Sequence, residues 1–423
     1  MPTDARTTLE NPGGTSPGAA PETTPETTPQ TALETALIRL ADRSDAEIAA
    51  GLADLGPDRC ARALLRETVD RARLFPEPPV ATAVEVRLRL GEEQSAYTVT
   101  LGGGAHKVTP GPAEAARARL AQDLPEFLRA VYGAPGRHDA TRELHITEPD
   151  RPVLDPADPE HAERAAAVTA LHQLAGALAR PHRSLNELAV RFRSDKWGGH
   201  WYTPHYDRYF APLRDGVVNL LEIGIGGYDD PDQGGASLRM WKHYFPRGLV
   251  HGLDVYEKRG IAEPRLFPLR GDQSDPAYLA GLAAERGPFD IVIDDGSHLN
   301  EHVLTSFEAL FPHLRPGGLY VVEDTQTAYW TGWGGNDRDL NDPTTSMGFV
   351  KALLDGLNHQ ERTPAQDGPV SPAARWERGI GAVHVHHNLV VVEKSVNTEQ
   401  GAPAWVPRDV DPRSWYTAPE RSE

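Results

Sequence analysis

The feature that most constrains the chain is a set of four apolar runs, each ending in acids. They are Asn219-Leu220-Leu221-Glu222-Ile223-Gly224-Ile225-Gly226-Gly227, Gly252-Leu253-Asp254, Ile291-Val292-Ile293-Asp294-Asp295-Gly296-Ser297-His298 and Leu319-Tyr320-Val321-Val322-Glu323-Asp324. Helical stretches alternate with them, which is the pattern of parallel strands in a doubly wound α/β sheet, where ligands bind beyond the carboxyl ends of the strands. Acids from separate strands therefore converge on one crevice.

Periodicity fills in the rest of this domain, assigned to 216–400. It reads as strand 217–223, helix 236–245, strands 249–254 and 266–270, helix 276–286, strand 289–294, helix 300–314, strand 318–323 and a helix over 346–358. Two apolar runs around His384, His386 and His387 close the domain as an antiparallel hairpin. A mainly parallel sheet with an antiparallel last strand resembles the class I methyltransferase architecture.

A chain of 423 residues exceeds one compact domain. Residues 1–30, rich in Pro and Thr, offer no apolar face and read as a disordered tail. Residues 31–135 read as a smaller α+β unit. One helix starts at Ala32 and a second runs through Leu64 and Val69; two alternating strands carry Val84–Leu90 and Tyr97–Leu101, and a helix through Leu120, Leu124 and Phe127 covers them. Gly102-Gly103-Gly104 lacks a following Lys-Ser or Lys-Thr and reads as a hairpin connection rather than a phosphate loop. Residues 136–160 read as a linker and 161–215 as a helical connector. The aromatic stretch from Ser194 to Phe210 within it serves equally as a lid or as a helix packed on the sheet. Residues 401–423 form a C-terminal tail.

With 61 acidic against 43 basic side chains, the charge of −18 disfavours nucleic acid and anionic membranes. The single cysteine, Cys60, sits among leucines and reads as a buried thiol. No apolar stretch is long enough to span a bilayer and no secretory signal opens the chain, so a cytoplasmic location is expected.

Glycines 224 and 226 lie at a strand-to-helix turn, where they let a ligand approach the backbone. Asp254 ends the next strand, placed to accept from ribose hydroxyls, and Asp272, Gln273 and Ser274 follow the third, placed to meet an adenine ring. Asp229 and Asp230 stand where a pyrophosphate would be repelled. A nucleoside carrying a positive sulfonium, S-adenosylmethionine, suits this turn. The expected cofactor contacts are Glu222, Gly224, Gly226, Asp254, Asp272, Gln273, Ser274 and Asp294. Asp295, Glu323 and Asp324 offer the hard oxygen ligands that suit Mg²⁺, and His298 stands ready to take a proton from a hydroxyl.

At Ser194-Asp195-Lys196, Leu221-Glu222-Ile223-Gly224, Asp294-Asp295-Gly296-Ser297-His298 and Pro316-Gly317-Gly318-Leu319-Tyr320-Val321-Val322-Glu323-Asp324, the chain resembles the macrocin and mycinamicin family of sugar O-methyltransferases. The resemblance spans Ser184 to Lys394. It implies Mg²⁺ on Asp295, Glu323 and Asp324, His298 as general base, a small-molecule glycoside as substrate, and a homo-oligomer. Rival readings are a catechol-like phenol O-methyltransferase, a relative of cephalosporin hydroxylase, and a catalytically silent assembly subunit. Trp330 and Trp333 either line an acceptor pocket or anchor their loop. His384, His386 and His387 read as structural or solvent-facing.

Overall fold

The computed structural model describes residues 29–148, 155, 157–261, 263–361, 374–397, 401–403, 405–407, 411 and 413. The expected N-terminal tail lies outside the described residues apart from its last two, and most of the C-terminal tail does too.

The first unit opens with helices α1 (Pro29–Leu40), α2 (Asp45–Leu55) and α3 (Pro57–Ala72). Helix α2 was not expected. Ser44 caps it by accepting from the Glu47 amide while the Glu47 carboxylate accepts from the Ser44 amide, a closed capping box. A five-stranded sheet follows: β1 (Thr82–Leu90), β2 (Glu93–Leu101), β3 (Lys107–Pro110), β4 (Ala118–Asp123) and, after helix α4 (Leu124–Tyr132), β5 (Glu143–Ile146). Its order is β3-β2-β1-β4-β5. The expected antiparallel β1–β2 pair is present, and the three glycines connect β2 to β3. Cys60 is buried, and burial pushes its thiol up to about 11.

Two expectations fail here. Leu120, assigned to a helix, lies on β4, whose alternating side chains pair in parallel with β1. The helix starts only at Leu124, with Pro125 in its first turn. The stretch assigned to a linker carries β5, which pairs antiparallel with β4.

Helix α5 (Pro159–Ala179) packs Leu171, Leu174 and Leu178 into the core of this first unit. Helices α6 (Leu185–Phe192) and α7 (Thr203–Phe210) instead join the core of the second unit through Leu185, Leu188, Tyr206 and Phe210. The connector expected over 161–215 therefore divides between the two units.

The second unit holds β6 (Asn219–Ile223), α8 (Ala236–Tyr244), β7 (Leu249–Asp254), β8 (Leu266–Arg270), α9 (Pro276–Arg286), β9 (Phe289–Asp294), α10 (Asn300–Leu310), β10 (Leu314–Glu323), α11 (Ser346–Leu357), β11 (Ile380–His386) and β12 (Leu389–Lys394). The strand order is β11-β12-β10-β9-β6-β7-β8. β6 to β10 pair in parallel with their neighbours, while β12 runs antiparallel to β10 and β11. The chain reverses across the sheet at β6, and there the crevice opens. Register brings the strand ends level: Ile223 lies opposite both Leu253 and Asp294, and Val322 opposite Asp294.

Candidate active site

The turn after β6 sets the first contact. Gly224 has φ +93°, and a Cβ there would fall 2.0 Å from the Asp295 carbonyl oxygen. Only glycine lets this turn pass so close to the end of β9. Gly226, at φ +75°, would place a Cβ in open space, which leaves room for a ligand at the backbone. Asp254 closes the turn from β7: its Oδ2 accepts from the Ile225 amide at 3.0 Å and its Oδ1 from the Tyr256 amide at 2.9 Å.

Three residues expected at the cofactor surface face inward instead. Glu222 is fully buried and accepts from Ser237 Oγ at 2.9 Å and Trp241 Nε1 at 3.1 Å. Asp294 accepts from Ser306 and from Gln273 Nε2 at 2.6 Å, and Gln273 Oε1 accepts from the Ser297 amide at 3.0 Å. Glu222 and Asp294 lie at the ends of central parallel strands that are covered on both faces, so their polar atoms must find protein partners, while Gln273, in the turn after β8, is drawn in by Asp294 and the Ser297 amide. Burial pushes Glu222 up to about 7 and Asp294 up to about 6. Asp272 and Ser274 remain exposed and bond each other: the Asp272 carboxylate accepts from the Ser274 amide and hydroxyl.

The catalytic candidates do converge. Asp295, His298 and Asp324 each present one ligand atom within 4.8 Å of the others, and so do Glu222, Asp295 and Glu323. His298 Nε2 lies 3.6 Å from Asp324 Oδ2. His298 and Asp324 both adopt left-handed backbone, at φ +57° and +52°. Such conformations are costly for residues with a Cβ and gather at functional sites.

The stretch from Ser194 to Phe210 covers this cluster and supplies groups beyond the expected site residues. Lys196 Nζ lies 2.7 Å from Asp295 Oδ2, 2.6 Å from Glu323 Oε1 and 3.4 Å from Glu222 Oε1. Burial works against its charge, but the three carboxylates outweigh it and hold the ammonium well above the usual lysine range. Tyr202 donates to Asp324 Oδ1 at 2.7 Å, Tyr206 donates to Glu323, and His200 Nε2 lies 3.7 Å from Asp324 Oδ1. One signal was available in the sequence: acids gathered from three strands need a counter-ion, and Lys196 is the cation of the Ser194-Asp195-Lys196 match.

On the far side, Asn300 ties down the Gly/Trp loop. Its Nδ2 donates to the Thr327 and Trp333 carbonyls, and its Oδ1 accepts from the Ser346 amide. Trp330 and Trp333 meet edge to face at 5.3 Å and stay about half exposed. His386 bonds Tyr209 at 2.8 Å and stacks on His205 at 4.0 Å, while His384 packs against Tyr209.

A seven-stranded sheet of this order, with a glycine turn after its first strand and acids at the ends of the neighbouring strands, defines a class I methyltransferase. The comparisons narrow the class. A family profile for the MycE methyltransferase N-terminal domain matches residues 35–142, and one for a methyltransferase domain matches 237–325. The chain is 44% identical to demethylmacrocin O-methyltransferase of Streptomyces fradiae over 89% of its own length and 94% of that protein's. It is 45% identical to 8-demethyl-8-alpha-L-rhamnosyl tetracenomycin-C 2'-O-methyltransferase of Streptomyces olivaceus, covering 84% of this chain and 89% of that one. The crystal structure of MycE methyltransferase from the mycinamycin pathway, in complex with Mg, SAH and mycinamycin VI, matches with a TM-score of 0.78 at 38% identity, over 89% of this chain and 97% of the other. The chain belongs to the macrocin and mycinamicin family of S-adenosylmethionine-dependent sugar O-methyltransferases.

Proposed function

We propose that the protein transfers a methyl group from S-adenosylmethionine to a sugar hydroxyl of a glycosylated, polyketide-type natural product, with Mg²⁺ held by Asp295, Glu323 and Asp324. The observation that carries this reading is the meeting of Asp295, Asp324 and His298 at the end of the strands, beside the glycine turn, with Glu323 joined to Asp295 in an adjoining group. The donor set fits a hard cation, since carboxylate oxygens suit Mg²⁺. The cofactor fits as well: Gly226 faces open space and the turn carries acids rather than phosphate-binding groups.

When bound, the ion acidifies and orients the acceptor hydroxyl, and S-adenosylmethionine supplies an electrophilic methyl. The remaining steps belong to this chain. His298 Nε2 takes the proton of the acceptor hydroxyl. Asp254 accepts from the ribose hydroxyls, and the Ile225 and Tyr256 amides hold its carboxylate in place. Residues 194–210 cover the acids and exclude water. The half-exposed Trp330 and Trp333 offer apolar faces to the sugar or its aglycone.

No described helix is long and apolar enough to cross a membrane. A cytoplasmic, homo-oligomeric enzyme is the accompanying proposal, to be checked by light scattering and fractionation. The deciding experiment incubates the protein with labelled S-adenosylmethionine, Mg²⁺ and two acceptor panels, one of deoxysugar glycosides and one of catechols, with mass spectrometry of the products. Methylated glycoside that disappears with EDTA and returns with Mg²⁺ is expected. Methylated catechol alone, or full turnover after exhaustive chelation, contradicts the proposal.

A further inference from the structure

Lys196 is 1% exposed, yet its ammonium touches carboxylates from the ends of three different strands. A buried lysine is costly unless it is paired, and here the pairing is selective. Lys196 takes Oδ2 of Asp295 and Oε1 of Glu323, one oxygen of each carboxylate, while Tyr202 takes Oδ1 of Asp324. The other oxygen of Asp324, Oδ2, faces His298. Tyr206 steadies the same oxygen of Glu323 from α7. Residues 196–206 thus bond one oxygen of each of the three acids and leave the other oxygen of each out of these contacts.

We propose that Lys196 is a positioning residue for divalent-ion capture: its ammonium fixes the inner oxygens of Asp295 and Glu323 so that the outer oxygens face the cation. This rests on the reading of Asp295, Glu323 and Asp324 as the ion's holders. Two physical effects oppose each other, which makes the sign of the result informative. A positive charge beside the site repels Mg²⁺, so its removal strengthens binding if lysine acts only through charge. Loss of orientation weakens binding instead, and partners that orient metal ligands are typically worth about 10- to 100-fold in metal affinity.

The experiment measures Mn²⁺ binding to the full chain by paramagnetic resonance of the free ion, in the parent and in Lys196→Ala, Lys196→Met and Asp324→Asn. S-adenosylmethionine affinity is followed by calorimetry in parallel. Both Lys196 variants are expected to bind Mn²⁺ about 10- to 100-fold more weakly, with cofactor affinity nearly unchanged. Ethylammonium, which can occupy the space freed in Lys196→Ala, is expected to restore Mn²⁺ binding, whereas tetramethylammonium at equal ionic strength is not. Mn²⁺ binding as tight as the parent's, or tighter, in both variants overturns the proposal. Should the alanine variant fail to fold, Lys196→Met, which keeps the unbranched stem and lacks the ammonium, decides alone. Parent-like binding in Asp324→Asn overturns the underlying assignment of the ion, and this inference with it.

Discussion

Two clusters of buried charge use the same residue types to opposite ends. The first lies at the seam between the N-terminal unit and the α/β sheet. Glu67 of α3 accepts from Arg71 at 2.7 Å and twice from Arg265, at 3.0 and 2.7 Å. Arg265 spends its remaining donors on the carbonyls of Lys242, Phe245 and Gly248, so every N–H of the guanidinium is used. Lys242 is held between Asp70 and Glu263. The second cluster, at the carboxyl ends of the strands, sets one ammonium, Lys196, against Glu222, Asp295 and Glu323, with Asp324 beside Asp295. Charge in the seam is matched by charge and by backbone, whereas charge at the strand ends is not.

The carboxyl groups respond accordingly. Burial opposes the ionisation of Glu67, but Arg265 and Arg71 prevail and hold it far below the usual carboxylate range. At the strand ends burial wins: Glu222 rises to about 7, and Glu323, with Asp295 beside it, is pushed well above its ordinary value. A charge-matched cluster joins two units; an under-neutralised one attracts cations.

If this contrast is correct, substitutions in the two clusters separate into losses of rate and losses of stability. The largest effect is expected at His298. Positioned acid–base catalysis contributes roughly 10²- to 10⁴-fold, so His298→Ala should lose about that factor in kcat while cofactor affinity and unfolding midpoint stay near the parent's. Raising the pH should recover part of the rate, because hydroxide then takes the proton. A rate close to the parent's at neutral pH, with chemistry limiting, would assign the proton to another group.

The seam should behave in reverse. Glu67→Gln leaves two buried guanidinium groups without their carboxylate, a change worth about 3–5 kcal/mol of stability, while turnover per folded molecule is retained. Its pH dependence has a definite sign. A carboxyl whose folded pKa is depressed contributes stability above its unfolded value, about 4.3, and loses that contribution as pH falls below it. The parent should therefore lose up to roughly 1.4 kcal/mol per pH unit from this group on acidification. The gap between parent and Glu67→Gln, measured by urea unfolding, should narrow below that pH. A gap that stays constant, or a loss of turnover in the folded variant, would mean that the seam is not a purely structural joint.

The sheet was legible because its strands are apolar runs with the acids placed last, and parallel order follows from alternation with helices. Strand β4 was not, because Ala118–Asp123 continues directly into α4 and its pairing partner β1 lies far back in the chain. Of the site, Asp295, His298, Glu323 and Asp324 were readable as residue types at strand ends. Sequence alone does not tell which of two adjacent acids faces the core, and so Asp294 was assigned to the crevice although it bonds Ser306 and Gln273 inside. Lys196 escaped for a related reason: its partners lie on three strands and meet only after the sheet has formed.

Asp254 sits between the two kinds of cluster and gives the smallest effect expected. Like the seam residues, its two oxygens accept from protein donors, the amides of Ile225 and Tyr256. Like Asp295 and Asp324, it stays partly open to solvent, here beside the glycine turn, with lone pairs left for a ribose. Hydrogen bonds to a charged group contribute about 1.5–3 kcal/mol, so Asp254→Ala should weaken S-adenosylmethionine binding by about 10- to 100-fold, measured by calorimetry. Asp254→Asn sharpens the test, since it keeps the shape and one acceptor while removing the charge. If Asn binds the cofactor nearly as tightly as Asp while Ala does not, geometry dominates and the site's negative charge is needed only at the metal. Should Ala itself bind like the parent, the carboxylate serves the turn alone, and the ribose is held elsewhere.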